Sequence, residues 1–339
     1  MQITTLIYNV ALLFIMMVPG VIMMKARLCD EGFGKGISNL VLFIAQPALI
    51  VYAYIDFSGS FSDIWLNVVS VFLLSLAAHI IFSIVALLFF KRAPDAKRRM
   101  LRFVTVFANA AFMGIPLVQA ILGSELAIYA SVYNISFNIF LWTFGVYLCT
   151  EGTDEDGDGV TDGDAATDYH GVRERNRTDK LILKLLIHPV TIASAVGIIL
   201  LACGVNTTAY ELGLFSDCLL MLKNLVAPLS MLVIGLRLAR VDFRGVFRDK
   251  YLYEFLFLRH IFLPAVIIGI IKLLGLVGMT VNSDVALVTV ILAATPAATS
   301  ATMFAVKYDC DAEYTTKLVT VSTLLSIATM PVMVWLASL

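Results

Sequence analysis

The sequence contains few charged residues, and no acidic side chain lies deep within any of its apolar stretches. Only 14% of its 339 residues are charged, whereas 60% are hydrophobic. A chain with so little polar surface cannot cover itself with water-facing groups, so a water-soluble globule is excluded. The five cysteines are scattered and odd in number, and they imply no disulfide framework. HExxH, CxxC and Walker motifs are absent, so no enzyme, cofactor or nucleic-acid partner is predicted.

Long apolar stretches make up most of the sequence. Each is about twenty residues or slightly more, which is enough to cross roughly 30 Å of hydrocarbon as a helix. The sequence therefore predicts an all-α membrane protein with ten transmembrane helices, and the first is expected to be a retained helix rather than a signal peptide. The predicted spans are 5–24, 36–55, 65–90, 101–122, 126–149, 181–202, 215–236, 251–274, 283–306 and 316–337.

Lysine and arginine set the predicted orientation in the membrane. All but two of the 24, Lys223 and Lys272, lie near odd-numbered connections between the spans. Those connections are therefore predicted to be cytoplasmic, with both termini outside a plasma or inner cell membrane. The basic residues from Arg173 to Lys180 are expected to contact membrane lipid at the start of the sixth span.

A polar segment, 150–180, divides the ten spans into two halves, 1–149 and 181–339. Three landmarks recur at nearly one offset: Pro47 and Pro228 are 181 positions apart, as are His79 and His260, and Pro116 and Pro296 are 180 apart. With five spans in each half, the second half must enter the membrane from the opposite face. The pattern predicts an inverted-topology repeat, which is typical of secondary transporters.

The polar segment also contains an incomplete calcium-loop pattern. Asp154, Asp156, Asp158 and Asp162 stand where such a loop places oxygen ligands, but Ala165 occupies the place of the bidentate glutamate. Two interpretations remain open for the segment, a calcium site or a solvated linker without structure.

Helix breakers interrupt the fourth and ninth spans. The fourth contains Asn109, Gly114 and Pro116, and a break is expected near Gly114–Pro116, whereas the ninth contains Thr295-Pro296 followed by Thr299. Each break would leave a half-helix whose unpaired amide groups and dipole attract an anion, particularly a carboxylate. Paired breaks in two halves point to a substrate site. The alternative is two kinked helices whose small residues allow close packing.

Other polar residues are expected near these breaks. Asn134 and Asn138 share one face of the fifth span, while Gln46 and Ser322 lie in the second and tenth. Each amide either binds a ligand or joins two helices.

Ionisable groups within the spans are few. His79 either relays protons or stays neutral as a core residue, and Arg259 and Lys272 are expected to extend towards the membrane surface.

The motif Asn109-Ala-Ala-Phe-Met-Gly-Ile-Pro116, the Gln46-Pro47 turn and the run from Ser322 to Pro331 resemble the auxin efflux carrier family. That family in turn resembles the bile-acid/sodium symporter fold, with ten helices in two inverted repeats and crossed, broken fourth and ninth helices. The resemblance implies elevator-like alternating access and a substrate site at Asn109, Pro116, Asn134 and Pro296.

The sequence thus predicts a secondary transporter of a small organic anion, such as malate, malonate or an auxin-like acid. The predicted site comprises Gln46, Asn109, Gly114, Pro116, Asn134, Asn138, Thr295, Pro296, Thr299 and Ser322. A sodium-coupled bile-acid-type symporter and a ligand sensor without transport are the alternatives. A homodimer, and coupling to H⁺ or Na⁺, are left open.

Overall fold

The structure, a computed structural model, describes residues 3–57, 61–150, 189–205, 213–241 and 243–339, and it has no β-strand in these ranges. Its helices are α1 (Ile3–Ile15), α2 (Val18–Lys25), α3 (Glu31–Leu40), α4 (Gln46–Ile55), α5 (Phe61–Leu88), α6 (Asp95–Val106), α7 (Ile115–Leu122), α8 (Ala127–Phe140), α9 (Val146–Thr150), α10 (Pro189–Ala202), α11 (Gly213–Lys223), α12 (Val226–Leu238), α13 (Lys250–Phe257), α14 (Leu263–Leu276), α15 (Ser283–Ala294), α16 (Ser300–Lys307) and α17 (Ala312–Ser338).

Seven helical stretches within these ranges are long and apolar enough to cross a membrane. Three shorter apolar helices, Ala110–Leu122, Pro189–Ala202 and Ser283–Ala294, correspond to the predicted fourth, sixth and ninth spans. The fourth and ninth are short because their helices are interrupted, and the residues before Pro189 lie outside the described ranges. The seven stretches are Ile7–Lys25, Gly32–Ile55, Ser62–Leu88, Ala127–Thr150, Gly213–Leu238, Lys250–Leu276 and Ala312–Ser338. The chain is an integral, multi-pass membrane protein.

In the part of the chain that the structure describes, four single π-helical turns join consecutive α-helices: Val41–Ala45, Ala110–Gly114, Leu141–Gly145 and Leu258–Phe262. Three of them end two residues before a proline, at Pro47, Pro116 and Pro264. Proline removes a backbone donor and clashes with the preceding turn, and a widened turn relieves that clash without ending the helix. The turn at Leu141–Gly145 has no such proline.

Among the described residues, the buried apolar side chains form two main clusters. One contains Met113 and Leu292, and the other contains Phe107 and Ala297. The two interrupted helices pass from one cluster to the other, and the interruptions lie where the clusters meet. The fold therefore places polar backbone between two apolar cores, where water has little access.

The segment that carries the incomplete calcium pattern, with Asp154, Asp156, Asp158 and Asp162, lies outside the described residues.

Candidate functional site

The two interrupted helices cross at their interruptions. The backbone N–H of Asn109 donates to the carbonyl oxygen of Pro296 at 2.7 Å, and that of Ala298 donates to Phe107 at 2.8 Å. These bonds pair Ala108 with Ala297 as an isolated antiparallel bridge. Each interruption thus supplies hydrogen-bond partners that the other has lost. We call this element, residues 107–109 and 295–299, the crossing.

The first interruption lies earlier in the chain than the sequence predicts. Helix α6 ends at Val106, and helical structure resumes at Ala110, before the expected break near Gly114 and Pro116. Pro116 is in the first turn of α7, where its missing N–H is tolerated, and the preceding π-turn keeps the helix continuous. The predicted break at Gly114–Pro116 was therefore wrong by several residues.

The second interruption lies where proline predicts it. Thr295 is extended, with φ −61° and ψ 152°, because the ring of Pro296 disfavours helical geometry in the preceding residue. Its hydroxyl donates to the carbonyl of Leu292 at 2.8 Å, within the last turn of α15.

Arg259 binds the C-terminal ends of both interrupted helices. Its guanidinium donates to Thr105 O at the end of α6 at 3.1 Å, and to Ala293 O and Thr295 O at the end of α15 at 2.7 and 2.8 Å. Its Nε also donates to Thr295 O, at 3.1 Å. The side chain is fully buried, so the expectation that Arg259 extends towards the membrane surface was wrong.

On the N-terminal side of the crossing, where helical structure resumes at Ala110 and Ser300, fewer of the buried polar side-chain atoms have hydrogen-bond partners. The Nδ2 of Asn109, the Oε1 of Gln46 and the Oγ of Ser230 are buried without a hydrogen-bond partner. Gln46 is held by its Nε2, which donates at 2.7 Å to Ala111 O in the π-turn Ala110–Gly114. Helix α12 packs against that turn. Buried polar atoms are nearly always paired, so these three side-chain atoms are exceptions at the crossing.

A small cavity of about 30 Å³ lies beside the first turn of α16. Its size suits a single water molecule. Arg237 lies in its wall and donates to Thr299 O at 3.2 Å. No carboxylate is present among the described residues that line it, which are Ile234, Arg237, Leu238, Thr299, Thr302, Thr316, Val319, Thr320 and Thr323. The cavity therefore combines a cation and hydroxyls with no balancing negative side chain.

Helix α12 connects the unpartnered amides with this cavity. Ser230, Ile234 and Arg237 are spaced four and three residues apart and so share one face of the helix. That helix is held close to α2, since a Cβ at Gly235 would lie 2.0 Å from Met17 O. Sequence reasoning missed Arg237, because it is the first member of a basic cluster that also fits a cytoplasmic connection.

Two predicted residues support the backbone of the crossing. The hydroxyl of Ser322 accepts the N–H of Ala297 at 2.9 Å and lies 2.8 Å from Nε2 of His260. Gly114 allows close packing, because a Cβ there would lie 2.5 Å from Leu292 Cδ2.

The two asparagines of α8 are buried, at Asn134 and Asn138. Asn134 donates to Ala130 O of its own helix at 3.0 Å. His79, on α5, lies 2.7 Å through Nδ1 from Ser75 O, whereas its Nε2 has no partner.

Comparison with known proteins assigns nearly the whole length of the chain to one family. No curated protein matches it. The family model described as "Membrane transport protein" matches residues 5–334, which include both interruptions and almost every helix. The chain belongs to this family of membrane transporters, the auxin efflux carrier family, and is not an enzyme.

Proposed function

We propose that the protein is a secondary transporter of a small organic anion, most simply a mono- or dicarboxylate such as malate, malonate or an auxin-like acid. The observation that carries this proposal is the cavity beside α16, where Arg237 and several threonines meet the N-terminus of a helix. Helix N-termini and guanidinium groups both favour carboxylates, and an arginine can bind both oxygens of one.

The proposal extends this site to the unpartnered atoms of Asn109, Gln46 and Ser230, which do not line the cavity itself. In the proposal, Arg237 and Thr299 bind the carboxylate, and the Nδ2 of Asn109 donates to a second oxygen of the substrate. Gln46 Oε1 accepts from a substrate hydroxyl where one is present, as in malate, and Ser230 Oγ donates to a substrate oxygen. Predicted residues Asn134, Asn138, Thr295 and Ser322 shape and support the site around these contacts.

Transport requires the site to open alternately to each face of the membrane. The ten predicted spans, as two inverted five-helix repeats, supply such a mechanism, with the crossing moving against the remaining helices as in an elevator. A cavity of about 30 Å³ is too small for malate, so it belongs to a closed arrangement in this proposal. The orientation proposed from the basic residues places both termini outside and residues 150–180 in the cytoplasm of a plasma or inner-membrane carrier.

Uptake of labelled malate and malonate into proteoliposomes tests the proposal. Arg237→Gln and Asn109→Ala are expected to lower uptake at least tenfold, since each removes a donor worth more than about 1.4 kcal/mol to a bound anion. Lys272→Ala is the matched control, because it removes an exposed cation from another spanning segment.

Normal uptake in both site variants would overturn the proposed site. Binding of the carboxylate without any counterflow would instead favour the ligand sensor. An absolute requirement for sodium would favour the bile-acid-type symporter.

A further inference from the structure

Arg259 is a buried cation that has no acidic partner among the described residues. Each of its hydrogen bonds within the described part of the chain goes to a backbone carbonyl oxygen. Its Cζ lies 5.7 Å from the ring centroid of Phe82, so another wall of its site is aromatic. An isolated buried charge is strongly unfavourable, and an ionisable residue at membrane depth is by default functional. Something in the site must therefore balance this charge.

The ends of two helices supply the balancing charge. Thr105 O belongs to the last turn of α6, and Ala293 O and Thr295 O belong to the end of α15. The C-terminus of a helix carries about −0.5 elementary charge, so two together carry about −1. One guanidinium offsets that charge, and its planar fork reaches carbonyls on both helices at once.

The π-turn Leu258–Phe262, which carries Arg259, also contacts the crossing through a second side chain. His260, the next residue after Arg259, lies 2.8 Å through Nε2 from Ser322 Oγ, which in turn accepts the N–H of Ala297. The widened turn at Leu258–Phe262 thus presents two successive side chains to the crossing. Arg259 binds its carbonyls and His260 supports one of its amides.

We propose that Arg259 is a built-in cation of the crossing, which occupies the place where a metal cation would neutralise the two helix ends. The carbonyl oxygens of residues 105, 293 and 295 are the kind of ligand that binds sodium, and here the chain itself fills their site. Two consequences follow. The interrupted helices α6 and α15 move as one unit, and neither stability nor transport requires Na⁺ or another metal cation.

The statement about stability is independent of the substrate, whereas the statement about transport rests on the proposed function. The experiment therefore has two readouts, both on the full-length protein. The melting temperature of purified wild type, Arg259→Ala, Arg259→Lys and the control Lys272→Ala is measured in choline chloride, and again after adding tens of millimolar NaCl or guanidinium chloride. Wild-type uptake of labelled malonate is compared in sodium and in choline media.

Arg259→Ala is expected to melt roughly 5–10 °C below wild type, because three buried carbonyls lose their donor. Guanidinium should restore at least half of that loss, and it should not raise the melting temperature of wild type or Lys272→Ala. Arg259→Lys should remain below wild type, since a single ammonium cannot bridge both helix ends. Should Arg259→Ala not fold, the Lys variant and wild type carry the test.

Sodium should leave the melting temperature of wild type unchanged. It should change the wild-type uptake rate by less than about twofold. A sodium-dependent rise in wild-type stability would overturn the proposal, as would an Arg259→Lys protein as stable as wild type, or failure of guanidinium to stabilise folded Arg259→Ala. Absence of malonate uptake in both media, with the stability results as expected, would count against the proposed function and leave the built-in cation standing.

Discussion

The two sides of the crossing differ in how completely their polar groups are satisfied. On the C-terminal side, the carbonyls of residues 105, 293 and 295 all accept from one buried guanidinium. On the N-terminal side, Asn109, Gln46 and Ser230 each keep a buried polar atom without a partner. Arg237 stands beside this second side, next to a cavity rather than in a filled site. On one side the helix-end carbonyls are paired from within the chain, and on the other three buried side-chain atoms are not.

This difference separates two tasks of interrupted helices. Filling the C-terminal side from within the chain keeps the irregular backbone stable at membrane depth, where unpaired polar groups are costly. Leaving the N-terminal side incomplete preserves positive potential and two free donors, Asn109 Nδ2 and Ser230 Oγ, for an anion. The substitutions below test whether the two tasks are separate, starting from the largest expected effect.

Replacing Arg259 by glutamine should lower the stability much more than replacing Arg237 by glutamine. Arg259→Gln removes the charge that balances two helix ends and should lower the free energy of unfolding by about 3–5 kcal/mol. Arg237→Gln should lower it by less than about 1.5 kcal/mol, since Arg237 is half-buried and gives up its bond to Thr299 O. Thermal unfolding of both variants measures this difference. Equal losses would show that the two sides are not distinct.

An alanine at Gly114 should destabilise the packing of the crossing. The added Cβ would lie 2.5 Å from Leu292 Cδ2 and 3.3 Å from Thr295 Cγ2. Such overpacking costs about 1–3 kcal/mol. Gly36→Ala is the control, because that exposed helical position has nothing within 4 Å of a new Cβ, and helix propensity favours alanine there. A Gly114→Ala protein with wild-type stability would mean that the contact relaxes freely.

Two serines on α17 provide a matched pair. Ser322→Ala leaves the N–H of Ala297 and Nε2 of His260 without their partner and should cost about 1–3 kcal/mol. Ser326→Ala removes only a hydroxyl that donates to Thr323 O of its own helix and should cost less than about 1 kcal/mol. Chemical denaturation in detergent would measure both. A larger loss at Ser326 would contradict this account of the crossing.

The smallest effect is expected at Pro116. Pro116→Ala should change stability by less than about 1 kcal/mol and leave transport intact, because the helix is not broken there. Pro296→Ala should have the larger effect on both, since Pro296 keeps Thr295 extended within the crossing. Loss of uptake in Pro116→Ala but not in Pro296→Ala would mean that the functionally important break lies at Gly114–Pro116, as the sequence predicts.

The sequence was informative where a local signal existed. Pro296 marked the second interruption, and the apolar stretches and family motifs identified a membrane transporter. The first interruption, at residues 107–109, contains no proline or glycine. It forms because Asn109 N and Phe107 O find partners on the other interrupted helix, and no local pattern records that pairing.

Two arginines show a further limit of sequence reasoning. Counting residues from the end of a span suggested that Arg259 could reach the membrane surface, but position along a helix does not give the direction of the side chain. Arg237 fitted a basic connection equally well. The division at 150–180 and the inverted repeat stay predictions, as do the roles of Asn134 and Asn138.

A ligand-dependent rise in melting temperature would test most directly whether the incomplete side binds an anion. Wild-type protein should become more stable as the concentration of a small carboxylate increases, because a ligand that binds only the native state stabilises it. Arg237→Gln should lose this response, while Lys272→Ala should keep it. Equal stabilisation of wild type and Arg237→Gln across malate, malonate and auxin-like acids would contradict the central claim.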